Sequence, residues 1–430
     1  MFSLSVGMPT SIPPQGWRWV SLSKVARLES GHTPSRRHPE WWGGDIPWIG
    51  IRDATRNHGA TLLDTEQHTN ELGIANSSAR VLPAHTVCLS RTASVGYVVV
   101  MGRPMATSQD FVNWVCTPAL DHRFLKYILL SEHKSMLRFA SGTTHQTIYF
   151  PEAKAFHVCI PEVKQQFAIS DALQALDDRI ALLHESNSTL EAIAQAMFKS
   201  WFVDFDPVRA KQQGIAPTGM DEVTAALFPD DFEQSELGMV PKGWAYDSLK
   251  DVVSIFDSQR VPLAGQERAK RQGIYPYFGA AALMDHVDSY LFDGIFLLTG
   301  EDGSVADSNG LPVTQYVWGK IWVNNHAHVL QGKEGISTEH LLLAFRRMDI
   351  RPYITGAVQA KLSQANMWRI PFLRPTRAVA EVFGLMIAPL FEQIRQGTEE
   401  AKTLSALRDT LLPRLISGQL RIPDAETLTQ

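Results

Sequence analysis

From Ile169 onward, apolar side chains recur in alternating four- and three-residue steps: Ile169, Leu173, Leu176, Ile180, Leu183, Asn187, Leu190, Ala194, Met197 and Trp201. That rhythm holds one stripe of a helix toward a second helix. A helix of about 33 residues spans roughly 50 Å at the helical rise, whereas the mean helix of a globular domain has about 11–12 residues. Asn187 interrupts the stripe, either as a polar contact that sets register or as a residue facing water.

Shifted by 214 positions, the same stripe reads Phe383, Ile387, Leu390, Ile394, Gly397, Ala401, Leu404, Arg408, Leu411 and Leu415. A second match lies 227 positions apart, "PQGW" at 14–17 and "PKGW" at 241–244. Each half thus opens on P-x-G-W, continues through a mixed region and ends in a long helix. The pattern predicts an internal pseudo-two-fold repeat in which the two helices bury their seams together, most simply as an antiparallel coiled coil. Pro389 and Pro413 are expected to kink or stop the second helix.

The mixed regions carry short β-type runs such as "TVCLS", "GYVVV", "FVNWVC", "GIFLLTG" and "KIWVNNHAHVL". Each set is followed by a helical stretch, "HRFLKYILLS" at 122–131 or "TEHLLLAFRR" at 338–347. This predicts an α+β class with curved β-sheets. The expected division is a first domain over 1–160, a spacer helix over 161–204, a Pro-, Gly- and acid-rich linker over 205–240 with one short helical turn around "MDEVTAALF", a second domain over 241–372, and a second helix and tail over 373–430.

Composition changes the picture in two ways. The net charge of −5 argues against nucleic acid until it is divided: residues 1–159 carry +4, residues 160–240 carry −9, and the remainder is balanced. Acidity belongs to the first rod and the segment after it, so the domains remain candidates for DNA. Cys88, Cys116 and Cys159 have no metal-ligand spacing, no apolar run is long enough to span a bilayer, and the first residues do not resemble a secretion signal. A cytoplasmic protein is expected.

Motifs for catalysis are missing from the sequence: there is no P-loop, no G-x-G-x-x-G and no Asn-Pro-Pro-aromatic signature. "FPDDFEQSE" at 228–236 has acids but no nearby lysine for a nuclease centre. The imidazoles of "NHAH" at 325–328 and the acids of "GEDGS" could serve a metal, but no further ligands accompany them.

Taken together, the two P-x-G-W openings, "GHTPSR", "IPWIGIRD", "AQAMFKSWFVDFDPVRAK", "LGMVPKGW", "WVNNHAHVL" and "LRDTLLPRLISGQLRI" resemble the DNA specificity subunit of type I restriction–modification enzymes, over nearly the whole chain. The resemblance implies a non-catalytic chain with two target-recognition domains, each reading one half of a split duplex DNA sequence. The helices then act as spacer and docking post for two adenine-N6 methyltransferase subunits and for restriction/translocase subunits. S-adenosylmethionine, ATP and Mg²⁺ are expected on those partners, and no cofactor or metal in this chain. A two-headed scaffold that binds only proteins is the alternative, and it predicts no salt-dependent DNA binding.

Loop chemistry nominates the DNA contacts, because hydroxyl, amide, imidazole and guanidinium groups bond to base edges and phosphates. In the first domain these are Arg91, Thr92, Ser94, Thr107, Gln109, Thr144, His145 and Gln146. In the second they are Arg271, Tyr275, Glu301, Asn324, Asn325, His326, Gln359 and Lys361.

Overall fold

The computed structural model describes residues 3–92, 94–141, 146–356 and 359–422. The chain divides into two compact units, residues 1–182 with 400–430, and residues 183–399. Among the described residues, no helix is long and apolar enough to cross a membrane.

P-x-G-W turns out to be the same turn in both units. The Trp17 amide donates to the Pro14 carbonyl at 2.9 Å, as Trp244 does to Pro241 at 2.9 Å. Gly16 and Gly243 sit at φ 84° and 81°, a conformation only glycine adopts freely at the third position of such a turn. The turn points the tryptophan inward, leaving Trp17 and Trp244 buried. A strand, a single helical turn and a second strand follow each: Arg18–Ser21, Leu22–Val25 and Ala26–Ser30 in one unit, Ala245–Ser248, Leu249–Val252 and Val253–Ile255 in the other.

In the first unit, Phe156–Ile160 lies between Leu4–Val6 and Arg18–Ser21. A five-stranded sheet runs in the order Ala26–Ser30, Phe111–Cys116, Val87–Ser90, Val98–Met101 and Thr61–Leu62. Helix His122–Ser131 packs Phe124, Leu125, Ile128 and Leu129 onto the core formed by Trp114 and Phe156. The second unit holds a six-stranded sheet in the order Val253–Ile255, Ala327–Gly332, Phe292–Gly300, Thr314–Val323, Gln272–Phe278 and Leu283–Val287. Helix Thr338–Phe345 covers it, and Pro371–Arg374 pairs with Ala245–Ser248.

The long helices span Val163–Phe202 and Arg377–Ile416, 40 residues each, offset by 214 at both ends. Each unit contains a segment of both. In the first unit Asp177 meets Arg408 at 3.0 Å and Arg179 meets Glu400 at 2.8 Å. In the second, Asn187 Nδ2 donates to the Ile394 carbonyl at 3.3 Å and to Thr398 Oγ1 at 3.1 Å, while Trp201 packs on Phe383. Rising numbers on one helix meet falling numbers on the other within each unit, so the segments are antiparallel. Ile169, Leu173, Ile180, Leu183, Phe383, Ile387, Ile394 and Leu415 are buried, and Leu176, Leu190, Met197, Leu390, Leu404 and Leu411 partly so. Asn187 takes the polar-contact role. It fits because Gly397 lies opposite, where a Cβ would come within 2.7 Å of Asn187 Oδ1.

Two expectations need correction. Of the kink or stop expected at Pro389 and Pro413, the stop does not occur, because the second helix continues through both. The carbonyls these prolines leave without a helical donor belong to Leu385 and Asp409, both on the exposed face where water can replace the bond. Residues 205–240 are not a bare tether. Besides the expected turn of helix, at Glu222–Ala226, helix Asp206–Gln212 and the hairpin Phe232–Ser235/Gly238–Pro241 fold there, with Val208 and Phe228 in the core of the second unit.

His340 is enclosed by Phe198, Phe202, Phe372 and Phe383, and burial pushes its imidazole from 6.5 down to about 3. The unfolded chain therefore takes up a proton near pH 6.5 that the folded chain refuses until about 3, so stability falls as pH drops through that window. His58 and His122, held down to about 4 mainly by burial, act in the same direction in the first unit. Denaturant midpoints measured from pH 7 to pH 4 should decline, and His340→Phe should flatten part of that slope. Gly397→Leu should break the Asn187 contacts and cost about 1–3 kcal/mol, read from the same midpoints at pH 7.

Candidate nucleic-acid interface

The two units carry the same backbone frame at the mouth of their sheets. In the first, the Arg91 amide donates to the Asp110 carbonyl at 2.7 Å and the Ile148 amide to the Arg91 carbonyl at 2.9 Å, while Ser141 and Thr147 exchange backbone bonds. In the second, Glu301 donates to His326 at 2.8 Å, Leu362 donates to Glu301 at 2.8 Å, and Thr355 and Lys361 exchange backbone bonds. Three loops are thereby held together in each unit by matching bonds. The side chains mounted on the frame differ: Arg91, Asp110 and Thr147 stand where the other unit has Glu301, His326 and Lys361.

Within the first frame, Arg91 Nε donates to the Gln109 carbonyl at 3.0 Å, and Thr92 and Thr147 share a hydroxyl hydrogen bond at 2.8 Å. Ser94 closes a tight turn onto the Thr92 carbonyl. Gln109 and Gln146 are exposed, and Gln109 also binds the Thr33 hydroxyl. Thr107 does not belong to this surface. It is 1% exposed and accepts from Asn113 Nδ2 at 2.8 Å, at the end of the short strand Ala106–Thr107, which pairs with Trp42–Ile49. Thr144 and His145 lie outside the described residues.

In the second frame Asn325, His326, Gln359 and Lys361 are exposed and close to one another through the loops that Glu301 ties together. His326 Nδ1 lies 2.5 Å from Asp302 Oδ1. Of two other nominated residues, one is interior and one is committed to ion pairs. Asn324 is 4% exposed, holding the His326 amide through Oδ1 at 2.8 Å. Glu301 accepts from Arg260 Nη1 at 2.8 Å and pairs with Lys361 Nζ at 3.4 Å. Arg271 and Tyr275 sit apart from the frame: Arg271 binds Asp288 and Ser289 over the face of Trp322, and Tyr275 packs against Tyr290.

Asp257, Glu301 and His328 bring ligand atoms within 4.8 Å of one another, a geometry that could suit a cation. The position is served by Arg260, whose guanidinium lies 2.8 Å from Glu301 Oε2 and 3.3 Å from Asp257 Oδ2. His328 is fixed by Asp257 at 2.6 Å and by the Leu362 carbonyl at 2.8 Å, so both ring nitrogens are engaged. The cluster is an ion-pair network that braces the loops. The two imidazoles of "NHAH" part company, His328 pointing inward from the strand and His326 lying outside it.

Loop choice by residue type overlooked the stretch 31–42, where Thr33 reaches Gln109 and Arg36 stacks on Trp42. Its signal was in view, since "GHTPSR" and the two tryptophans after it combine cations with aromatic faces.

A family model described as the type I restriction modification DNA specificity domain matches residues 14–192 and again 241–376. The chain is 24% identical over 435 residues to the type I restriction enzyme MjaIX specificity subunit of Methanocaldococcus jannaschii, covering 96% of this chain and 95% of that protein. It is 24% identical over 363 residues to the HindI specificity subunit of Haemophilus influenzae, covering 69% and 77%. The solved S subunit of a type I restriction–modification system from M. genitalium shares the fold, with a TM-score of 0.59 at 16% identity, across 93% of this chain and 96% of that one.

Glu301→Ala should leave the Arg260 guanidinium short of a partner in a largely enclosed site. Arg260 keeps Asp257, so the expected loss is about 1–3 kcal/mol of stability in a denaturant titration, as for one lost partner of a charged hydrogen bond. A base-reading Glu301 would instead change DNA preference at unaltered stability.

Proposed function

Given that the chain belongs to the type I restriction–modification DNA specificity family, we propose that it reads a bipartite duplex target, one half with each unit, and docks adenine-N6 methyltransferase and restriction/translocase subunits. The observation that carries this reading is the shared loop frame with different side chains. A common backbone with Arg91, Asp110 and Thr147 in one unit and Glu301, His326 and Lys361 in the other is what two readers of unlike sequences require. In this reading the chain does no chemistry of its own. S-adenosylmethionine, ATP and Mg²⁺ belong to the partners, and the complex works in the cytoplasm, where the DNA is.

Asn325, His326, Gln359 and Lys361 are the proposed readers in the second unit, and Arg91, Gln109 and Gln146 in the first; Thr92 and Ser94 shape the turn that presents Arg91. Long-read sequencing of adenine methylation, in cells carrying this chain with its methyltransferase partner and in cells lacking only this chain, tests the function. A split motif that disappears with the chain is expected. Unchanged methylation, together with no salt-dependent binding of duplex DNA by the complex, would leave the protein-only scaffold. His326→Ala should relax or alter one half of the motif and leave the other intact; equal loss in both halves would count against one reader per unit.

A further inference from the structure

Resting on that DNA-reading function, we propose that residues 31–42 of the first unit form a clamp for the phosphate backbone of duplex DNA that is indifferent to base sequence. The loop is built and held rigidly before any ligand arrives. The Trp48 indole donates to the His32 carbonyl at 3.1 Å, and the His32 amide to the Thr107 carbonyl at 2.9 Å. Gly31 passes so close to the neighbouring strand that a Cβ would lie 2.0 Å from the Ser108 carbonyl oxygen, so only glycine fits. The Arg36 guanidinium sits 3.6 Å over the Trp42 ring and 5.1 Å from Trp48, and Nη2 donates to Gln67 Oε1 at 2.6 Å. A guanidinium fixed in this way has given up much of its rotamer freedom in advance, and its aromatic seat leaves the charge directed outward.

Beside this seat is an open recess of about 630 Å³, lined by His32, Thr33, Ser35, His38, Asn76 and Ser77 among others. No carboxylate lines it. Glu40, the nearest acid in sequence, is paired with His38 Nδ1 at 2.9 Å. Arg37 is exposed, and among the described residues its guanidinium has no hydrogen-bond or ion-pair partner. Hydroxyl, amide and imidazole groups with two adjacent guanidinium cations are the set that binds phosphate oxygens. Stacking of an unpaired base is disfavoured because the aromatic faces are taken, Trp42 by Arg36 and Trp41 by His38 at 4.2 Å. Through the Thr33–Gln109 bond, a phosphate held here fixes the reading frame of the adjacent loops on the duplex.

In the second unit the matching cations are already neutralised. Arg268 lies over Tyr277 and Arg271 over Trp322, but Arg268 pairs with Asp285 at 3.2 Å and Arg271 with Asp288 at 2.8 Å. Counting from the two P-x-G-W turns, Arg260 stands at the position of Thr33, and its guanidinium is committed to Asp257 and Glu301.

The test uses the full chain assembled with its methyltransferase partner. It measures equilibrium binding of a labelled duplex carrying the methylated motif and of an unrelated duplex of equal length, over a salt series. Arg37→Ala should weaken both duplexes by the same factor, about two- to tenfold, and make the slope of log affinity against log salt shallower by about one, while the methylated motif keeps its sequence. Arg37→Glu should deepen the loss equally on both duplexes. Unaltered affinity and slope in both variants would overturn the clamp, as would a loss confined to the motif duplex, which would make Arg37 a base reader. Should the unsubstituted complex bind neither duplex, the DNA-reading function itself falls, and the clamp with it.

Discussion

Neither long helix can bury its apolar seam alone. A stripe of Ile, Leu, Met and Phe side chains repeated over 40 residues leaves a helix unstable in water unless a second surface covers it. Each unit meets this need by taking a segment of both helices and sealing the joint with the end of one against the tryptophan of a P-x-G-W turn. In the second unit Phe202 and Phe205 reach Trp244; in the first, Leu415 and Ile416 enter the core that contains Trp17, and Gly418 passes so close to Trp17 that a Cβ would lie 2.8 Å from its ring. The polar pair Asn187–Thr398 and the small Gly397 give the otherwise greasy seam a register, since sliding by a turn toward the N-terminal end of the second helix would set the amide against Ile394.

On that base, the loops are free to diverge. Backbone bonds hold the frame whatever the side chains are, and this is why Arg91 and Glu301 can occupy equivalent places with opposite charge. The consequences differ. Arg91 spends one bond on the Gln109 carbonyl and remains half-exposed, while Glu301 is drawn into the network with Arg260, Lys361, Asp257 and His328. The second unit thus braces its loops with ions, and the first braces its own with hydroxyls and an aromatic stack.

Much of the architecture was legible because helical spacing and repeat offsets are geometric. The seam, the helix His122–Ser131 and the strand Phe111–Cys116 lie where the pattern indicated. Pro389 misled because the rule that proline ends helices assumes the freed carbonyl has nowhere to turn, and here it faces water. The 205–240 segment misled because its acids and prolines hide the apolar anchors Val208 and Phe228. Contacts were harder to assign than elements. Thr107 and Asn324 are polar residues near turns, like their exposed neighbours, and only the sheet decides which of them face inward. Glu301 illustrates the same limit for charge, since its partner Arg260 is 41 residues away in sequence.

The division of the helices also orders events during synthesis. The second unit is one continuous stretch, 183–399, and has its whole core once residue 399 has emerged. The first unit needs Leu415 and Ile416, and the Ser3 hydroxyl bonds to the Ile416 carbonyl over a sequence separation of 413. Its loop closure is among the longest a span of this length can have, and the half made first must wait for Leu415 and Ile416. Until they arrive, the first unit's core lacks two of its buried members and leaves apolar surface uncovered. A chain cut just after residue 399 therefore holds the second unit whole and the first in part.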